Sequence, residues 1–183
     1  MLFRSQHLMN PLAAAECFVA GGLFAEALAI YVRLERWLDA AGLHERLGQA
    51  GAAVDALRKA VAARLAAGDT LAAAQLLEER LQVPDEALAL LLAAWPNDRQ
   101  AVGSLAAALA LLGRLARHEE TCRRIRDLAE AAVPVGLHPA VASLLVDLAR
   151  DYPDTRAREV AADVARIRIS RQLAQPEIGR AHV

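Results

Sequence analysis

The stretch Ala15-Glu16-Cys17-Phe18-Val19-Ala20-Gly21-Gly22-Leu23-Phe24-Ala25-Glu26-Ala27-Leu28-Ala29-Ile30-Tyr31 decides the fold. Phe24, Ala27 and Tyr31 follow one another at intervals of three and four, which places them on one face of a helix. Ala15 and Phe18 repeat the small–large order on the N-terminal side of the double glycine. Glycine ends a helix readily because it takes the left-handed conformation without a Cβ clash. The stretch therefore predicts a helix hairpin. Phe18 lies on the first helix and Gly22 in the turn. Phe24, Ala27 and Tyr31 form the packed face of the second helix.

Working outward, the same punctuation recurs. Pro11 suits a first helical turn and opens a helix running to Ala20. Helices over Phe24–Leu34 and Trp37–Leu47 follow, the latter ending at Gly48, and Ala52–Ala67 is closed by Gly68. Asp69 or Thr70 caps a helix that reaches Gln82. Pro84 opens one ending at Trp95, with Asp85 and Glu86 at the positive end of its dipole. Asp98–Leu112 is terminated by Gly113, Arg117–Ala132 stops before Pro134, and Val133–Pro139 is the one real loop. Pro139–Asp151 and a last helix, capped by Asp154 or Thr155 and reaching about Gln175, complete an array of about ten helices. Their short connections predict antiparallel neighbours.

Composition agrees. Hydrophobic residues make up 56% of the chain but aromatics only 4%, so the apolar mass is Ala, Leu and Val. Ala and Leu favour helices, whereas strands favour β-branched and aromatic residues; the expected class is all-α. Formal charge is −1, or −3 without the two terminal arginines Arg4 and Arg180, so no global field calls for nucleic acid or an anionic membrane. The longest apolar runs, Ala87–Trp95 and Ala101–Gly113, fall short of the roughly 20 residues that span a bilayer. Lys59 is the only lysine, which with the alanine content reads as the codon usage of a GC-rich bacterial genome. Cys17 and Cys122 lie far apart, and reduced helix cysteines of a cytoplasmic-type protein are the favoured reading.

The small–large–turn–small–large order resembles the tetratricopeptide repeat and the less regular hairpins of clathrin-like and coatomer-like α-solenoids. It recurs in Ala41, His44, Gly48, Ala53, Leu57 and Ala60, and again in Leu109, Leu112, His118, Thr121, Ile125 and Leu128. Ala116-Arg117-His118-Glu119-Glu120-Thr121 is similar to the family's passage from turn into second helix, with Thr121 where alanine is expected. Trp95-Pro96-Asn97-Asp98-Arg99 and Tyr152-Pro153-Asp154-Thr155-Arg156 look like junctions between repeats. The turn glycines Gly22, Gly48 and Gly68 are 26 and 20 residues apart, so the array is degenerate. The resemblance implies a right-handed α-α superhelix. In such arrays the first helix of each pair lines the concave face, which implies exposed partner-binding positions at Glu45, Arg46, Asp55, Arg58 and Arg114.

Signals of chemistry are sparse. His118 and Cys122 share a helix face at i, i+4, but zinc needs three or four convergent ligands and no second pair is nearby. Arg114, Arg117, Arg123, Arg124 and Arg126 are interleaved with Glu119, Glu120, Asp127 and Glu130, which favours a solvated, salt-bridged face over phosphate binding. Arg156, Arg158, Arg166, Arg168 and Arg171 give the last helix a more one-sided charge. His44 occupies a core-like position, and Trp37 and Trp95 read as packing anchors. No nucleotide-binding or hydrolase motif occurs, so no enzyme, cofactor or metal is expected.

The ends read differently. Leu2-Phe3-Arg4-Ser5 and Ile178-Gly179-Arg180-Ala181-His182-Val183 are what the two halves of a common sequencing adapter encode. Residues 1–10 and 177–183 are therefore set apart from a single helical-repeat domain at 11–176, and the natural chain is expected to continue beyond both. The expected function is that of a protein–protein interaction scaffold, with another protein or flanking domains as partner. The alternative is a regulatory or sensor module of a multidomain ATPase or transcriptional activator. Val160, Val164, Ile167, Ile169 and Leu173 give the last helix enough apolar surface for self-association.

Overall fold

A computed structural model describes residues 10–174, and these are all-α. The adapter-like ends, residues 1–5 and 178–183, lie outside them. By contacts the chain divides after Gln82 into two compact units.

The first unit holds α1 (Pro11–Ala20), α2 (Phe24–Arg33), α3 (Trp37–Arg46), α4 (Ala50–Ala66) and α5 (Thr70–Gln75), the last continuing as a wider π-turn over Leu76–Arg80. Each helix packs on the next in the chain. Ala15, Ala27, Tyr31, Ala40, Ala41, Leu43, Ala56 and Leu57 form the core, with Phe18, Phe24 and Leu81 partly buried against it. Five of these eight core residues are alanine, so the helices approach closely and the core is thin.

The second unit holds α6 (Pro84–Ala94), α7 (Ala101–Arg114), α8 (His118–Glu130), α9 (His138–Asp151) and α10 (Thr155–Ala174). A single 3₁₀ turn, Val135–Leu137, lies inside the expected loop. Besides chain neighbours, α7 packs on α9 and α8 on α10. Two hairpins, α7–α8 and α9–α10, thus meet side by side, and Leu109, Leu112, Ile125, Val141 and Leu145 are fully buried.

One link joins most of these helices. Gly22, Glu35, Gly48, Gly68, Gln82 and Ala116 all have φ between 54° and 76°, the left-handed region. At five of them the next residue's N–H reaches back to a carbonyl five residues earlier, at 2.8–2.9 Å. The left-handed residue's own N–H bonds three residues back, at 3.0–3.2 Å. This pair of bonds is a Schellman cap, which satisfies carbonyls the helix leaves open. Gln82 differs: its side-chain amide donates to the Glu79 carbonyl at 2.7 Å, after the π-turn. In all six the following residue has ψ of 55–70° and the next helix begins immediately after it.

The link also sets what can follow. The residue five positions after each left-handed one is Ala27, Ala40, Ala53, Ala73, Ala87 or Thr121, and each is at most 3% exposed. Nine positions after, Tyr31, Leu57, Leu77, Leu91 and Ile125 are buried, and only His44 is half-buried. Within each unit the tight link brings the first turn of the new helix back onto its predecessor, so a small side chain is required there. One helical turn on, the axes have diverged enough for a large one.

Two expected boundaries are corrected. Gly113, expected to end its helix, lies inside α7, which runs on to Arg114 before Ala116 makes the left-handed turn. A Cβ at Gly113 would stand 3.0 Å from the Tyr152 hydroxyl, so the glycine serves close approach rather than termination. The helix beginning at Thr70 does not run on unchanged to Gln82 but widens at Leu76.

Candidate functional site

Of the residues implied as partner-binding, Glu45, Arg46, Asp55 and Arg58 lie in the first unit and Arg114 in the second. Glu45 and Arg46 end α3. The Glu45 carboxylate accepts from Arg80 Nη2 at 2.8 and 3.0 Å, and the Arg46 guanidinium lies 5.1 Å from the centre of the Phe24 ring. Both groups are exposed, yet both hold the unit's own elements together. Asp55 and Arg58 are exposed on α4, beside exposed Val54. Arg114, in the second unit, is exposed at the end of α7 and borders a cleft of about 390 Å³ with Asp147, Asp151 and Tyr152. In the first unit, a cleft of about 430 Å³ between α3 and α4 is edged by Arg36, Asp39 and Arg64. Arg36 and Asp39 pair at 2.7 Å, and Lys59 sits 4.8 Å from the Trp37 ring centre.

His118 and Cys122 are absorbed by packing. Cys122 is buried with Tyr152 and Ala157, and the His118 ring meets Tyr152 edge-on at 6.5 Å. His118 Nδ1 is buried without a hydrogen-bond partner. Among the described residues no three His, Cys, Asp or Glu side chains gather to hold a metal. Nor is any described helix long and apolar enough to cross a membrane.

Tyr152 ties three helices together. Its hydroxyl donates to the Leu109 carbonyl at 3.2 Å and lies 2.8 Å from Thr121 Oγ1, which itself bonds the Arg117 carbonyl at 3.1 Å. Burial raises the phenol above its ordinary pKa of 10.0, while the Thr121 hydrogen bond opposes that shift. Thr121, the expected departure from alanine in the repeat pattern, is thus the residue that receives Tyr152.

The last helix departs most from expectation. Ala157, Ala161, Val164 and Arg168 lie on one stripe at intervals of four, three and four, and Arg168 is only 6% exposed. Arg168 Nε donates to the Leu128 carbonyl and Nη2 to the Ala131 carbonyl, both at 2.6 Å. Arg171 donates to the Ala129 carbonyl at 2.5 Å and to the Glu130 carboxylate at 2.7 Å. Arg158 turns to the Tyr152 carbonyl at 3.3 Å. Of the five arginines expected to charge α10, Arg168 is withdrawn from the surface, while Arg158, Arg168 and Arg171 each donate to a backbone carbonyl and Arg171 stays about half exposed. Carbonyls at a helix C-terminus carry partial negative charge and lack intrahelical donors, so cations settle there. Burial, then the neighbouring Arg171, pushes Arg168 below its usual pKa, against the pull of Glu130. The Arg171 hydrogen bond draws Glu130 below the usual carboxylate range. The signal for Arg168 was present in the sequence as its place on the small-residue stripe, but its identity argued for solvent. Beside it, a cleft of about 490 Å³ opens between the 131–139 segment and α10.

No protein-family model, curated protein or solved structure matches this chain.

Proposed function

We propose that the chain is a helical-repeat module that holds another protein, its hairpins continuing into an α-solenoid. One observation carries this reading: six left-handed links, each followed by the same small and large packing positions, build helix after helix from one device. A chain made this way multiplies surface, and the second unit stacks two hairpins through alternate helices as solenoids do. Its outward faces carry scattered apolar side chains, among them Leu38, Val54 and Leu65 in the first unit. Isolated exposed apolar residues are ordinary; what supports binding is that Val54 and Leu65 share one stripe of α4 with Arg58.

The test is site-specific photo-crosslinking in cells. A photoreactive side chain at Asp55 or Arg58 is expected to yield a discrete adduct with another polypeptide, lost when Val54→Glu is added. Absence of protein adducts from both positions, together with turnover or cofactor uptake by the purified chain, would overturn the reading.

A further inference from the structure

The cleft beside α10 has a charge balance that asks for a ligand of its own, independently of any protein partner. Among the described residues its polar lining is His138, Arg168, Arg171 and Gln172, with no carboxylate. The nearest acid in the hydrogen-bond network is Glu130, which Arg171 already holds at 2.7 Å. Two guanidiniums therefore share one carboxylate, and the more buried of them, Arg168, has only carbonyl oxygens as acceptors. Those two bonds use two of the five N–H donors that a guanidinium carries. The remaining wall is apolar, chiefly Val133, Val135 and Pro139. A volume of about 490 Å³ is in the range of small-ligand sites.

We propose that this cleft binds a small organic monocarboxylate, its charged end on Arg168 and its apolar body against Val133, Val135 and Pro139. A carboxylate there meets a cation already withdrawn from water, where a charge-assisted hydrogen bond is strong. The apolar wall gives the rest of the molecule a reason to enter that a bare ion lacks.

The test is an amide NMR titration of the full chain with benzoate, with benzamide as the neutral isostere and inorganic phosphate as the anion without an apolar body. Benzoate is expected to shift the amides of Ala132, Val133 and Gln172 saturably, with a Kd of roughly 1 mM or below and at least about tenfold tighter than either control. Arg168→Met also uncaps α8, so Gln172→Glu carries the test: it keeps both arginine caps and places a competing carboxylate in the cleft. It is expected to weaken benzoate by at least about tenfold. Three results would each overturn the proposal: no saturable benzoate shifts, benzamide or phosphate binding as well as benzoate, or indifference to Gln172→Glu.

Discussion

At the scale of single residues, backbone conformation rather than contact makes several positions matter. Glu35 and Ala116 sit in the left-handed region that glycine fills elsewhere in the chain. Relief of that strain is about 1–2 kcal/mol, against about 0.5–1 kcal/mol for glycine's greater freedom in the unfolded chain. Ala116→Gly is therefore expected to raise stability by about 0.5–1 kcal/mol in denaturant titration, and a loss would contradict the left-handed turn. Gly113 is the opposite case. Gly113→Ala gains helix propensity of about 1 kcal/mol but drives a methyl group against the Tyr152 hydroxyl, which Thr121 and Leu109 hold in place. We expect net destabilisation that shrinks in a Tyr152→Phe background, a coupling that a double-mutant cycle measures directly. Tyr152 also makes a pH prediction. Its native pKa is raised above 10.0, so its contribution is whole below pH 10 and is lost as pH rises through the native value. Comparing unfolding at pH 8 and pH 11, the wild type should lose more stability than Tyr152→Phe; Tyr31, raised in the same direction, leaves a residual slope in both.

At the scale of elements, the link dictates the first turn of the helix after it. Ala27 lies five residues after Gly22, fully buried where α2 returns onto α1. Ala27→Leu should overpack that contact and cost about 1–3 kcal/mol; a neutral effect on the denaturation midpoint would mean the helix is phased differently. The small–large rule was legible around Gly22, because glycine announces the turn and Ala27 and Tyr31 follow it. Around Glu35 it was not. Nothing in a glutamate declares a left-handed backbone, so Gly22 and Gly48 seemed to stand at an irregular interval. Glu35 divides that interval into two equal parts of 13 residues, which makes the first unit more regular than its glycines alone indicate. Helix starts were legible where a carboxylate takes the cap: Asp69 accepts from Ala72 N–H at 3.2 Å and Asp154 from Ala157 N–H at 2.8 Å.

At the scale of the whole molecule, α10 carries both buried and exposed apolar positions. Val164, expected at its apolar surface, is buried, and Val160 is packed against the Tyr152 cluster. Ile169 and Leu173, four residues apart on one face, are exposed, Leu173 by 81%, while exposed Ile167 lies on the opposite flank of the buried stripe. We expect concentration-dependent self-association through this face, reversed by Ile169→Glu with Leu173→Glu at unchanged helix content. Multi-angle light scattering settles the point: a monomer at high concentration would assign the face another role. Val164→Glu, by contrast, should unfold the second unit, since it buries a charge with no counter-ion.

What the sequence determined by itself was the class and the order of elements. Helix formation depends on local bonds between residues four apart and on propensity, and both can be read along a line in the alanine- and leucine-rich segments. The turn glycines and the aspartate caps were visible for the same reason. Tertiary structure alone decided the rest. It turned Arg168 from solvent to the open carbonyls of α8, it made Gly113 a contact for Tyr152 rather than a stop, and it put left-handed turns at Glu35, Gln82 and Ala116. In each case the deciding partner lies on another element, or the strain is carried by packing elsewhere, and no local pattern records either.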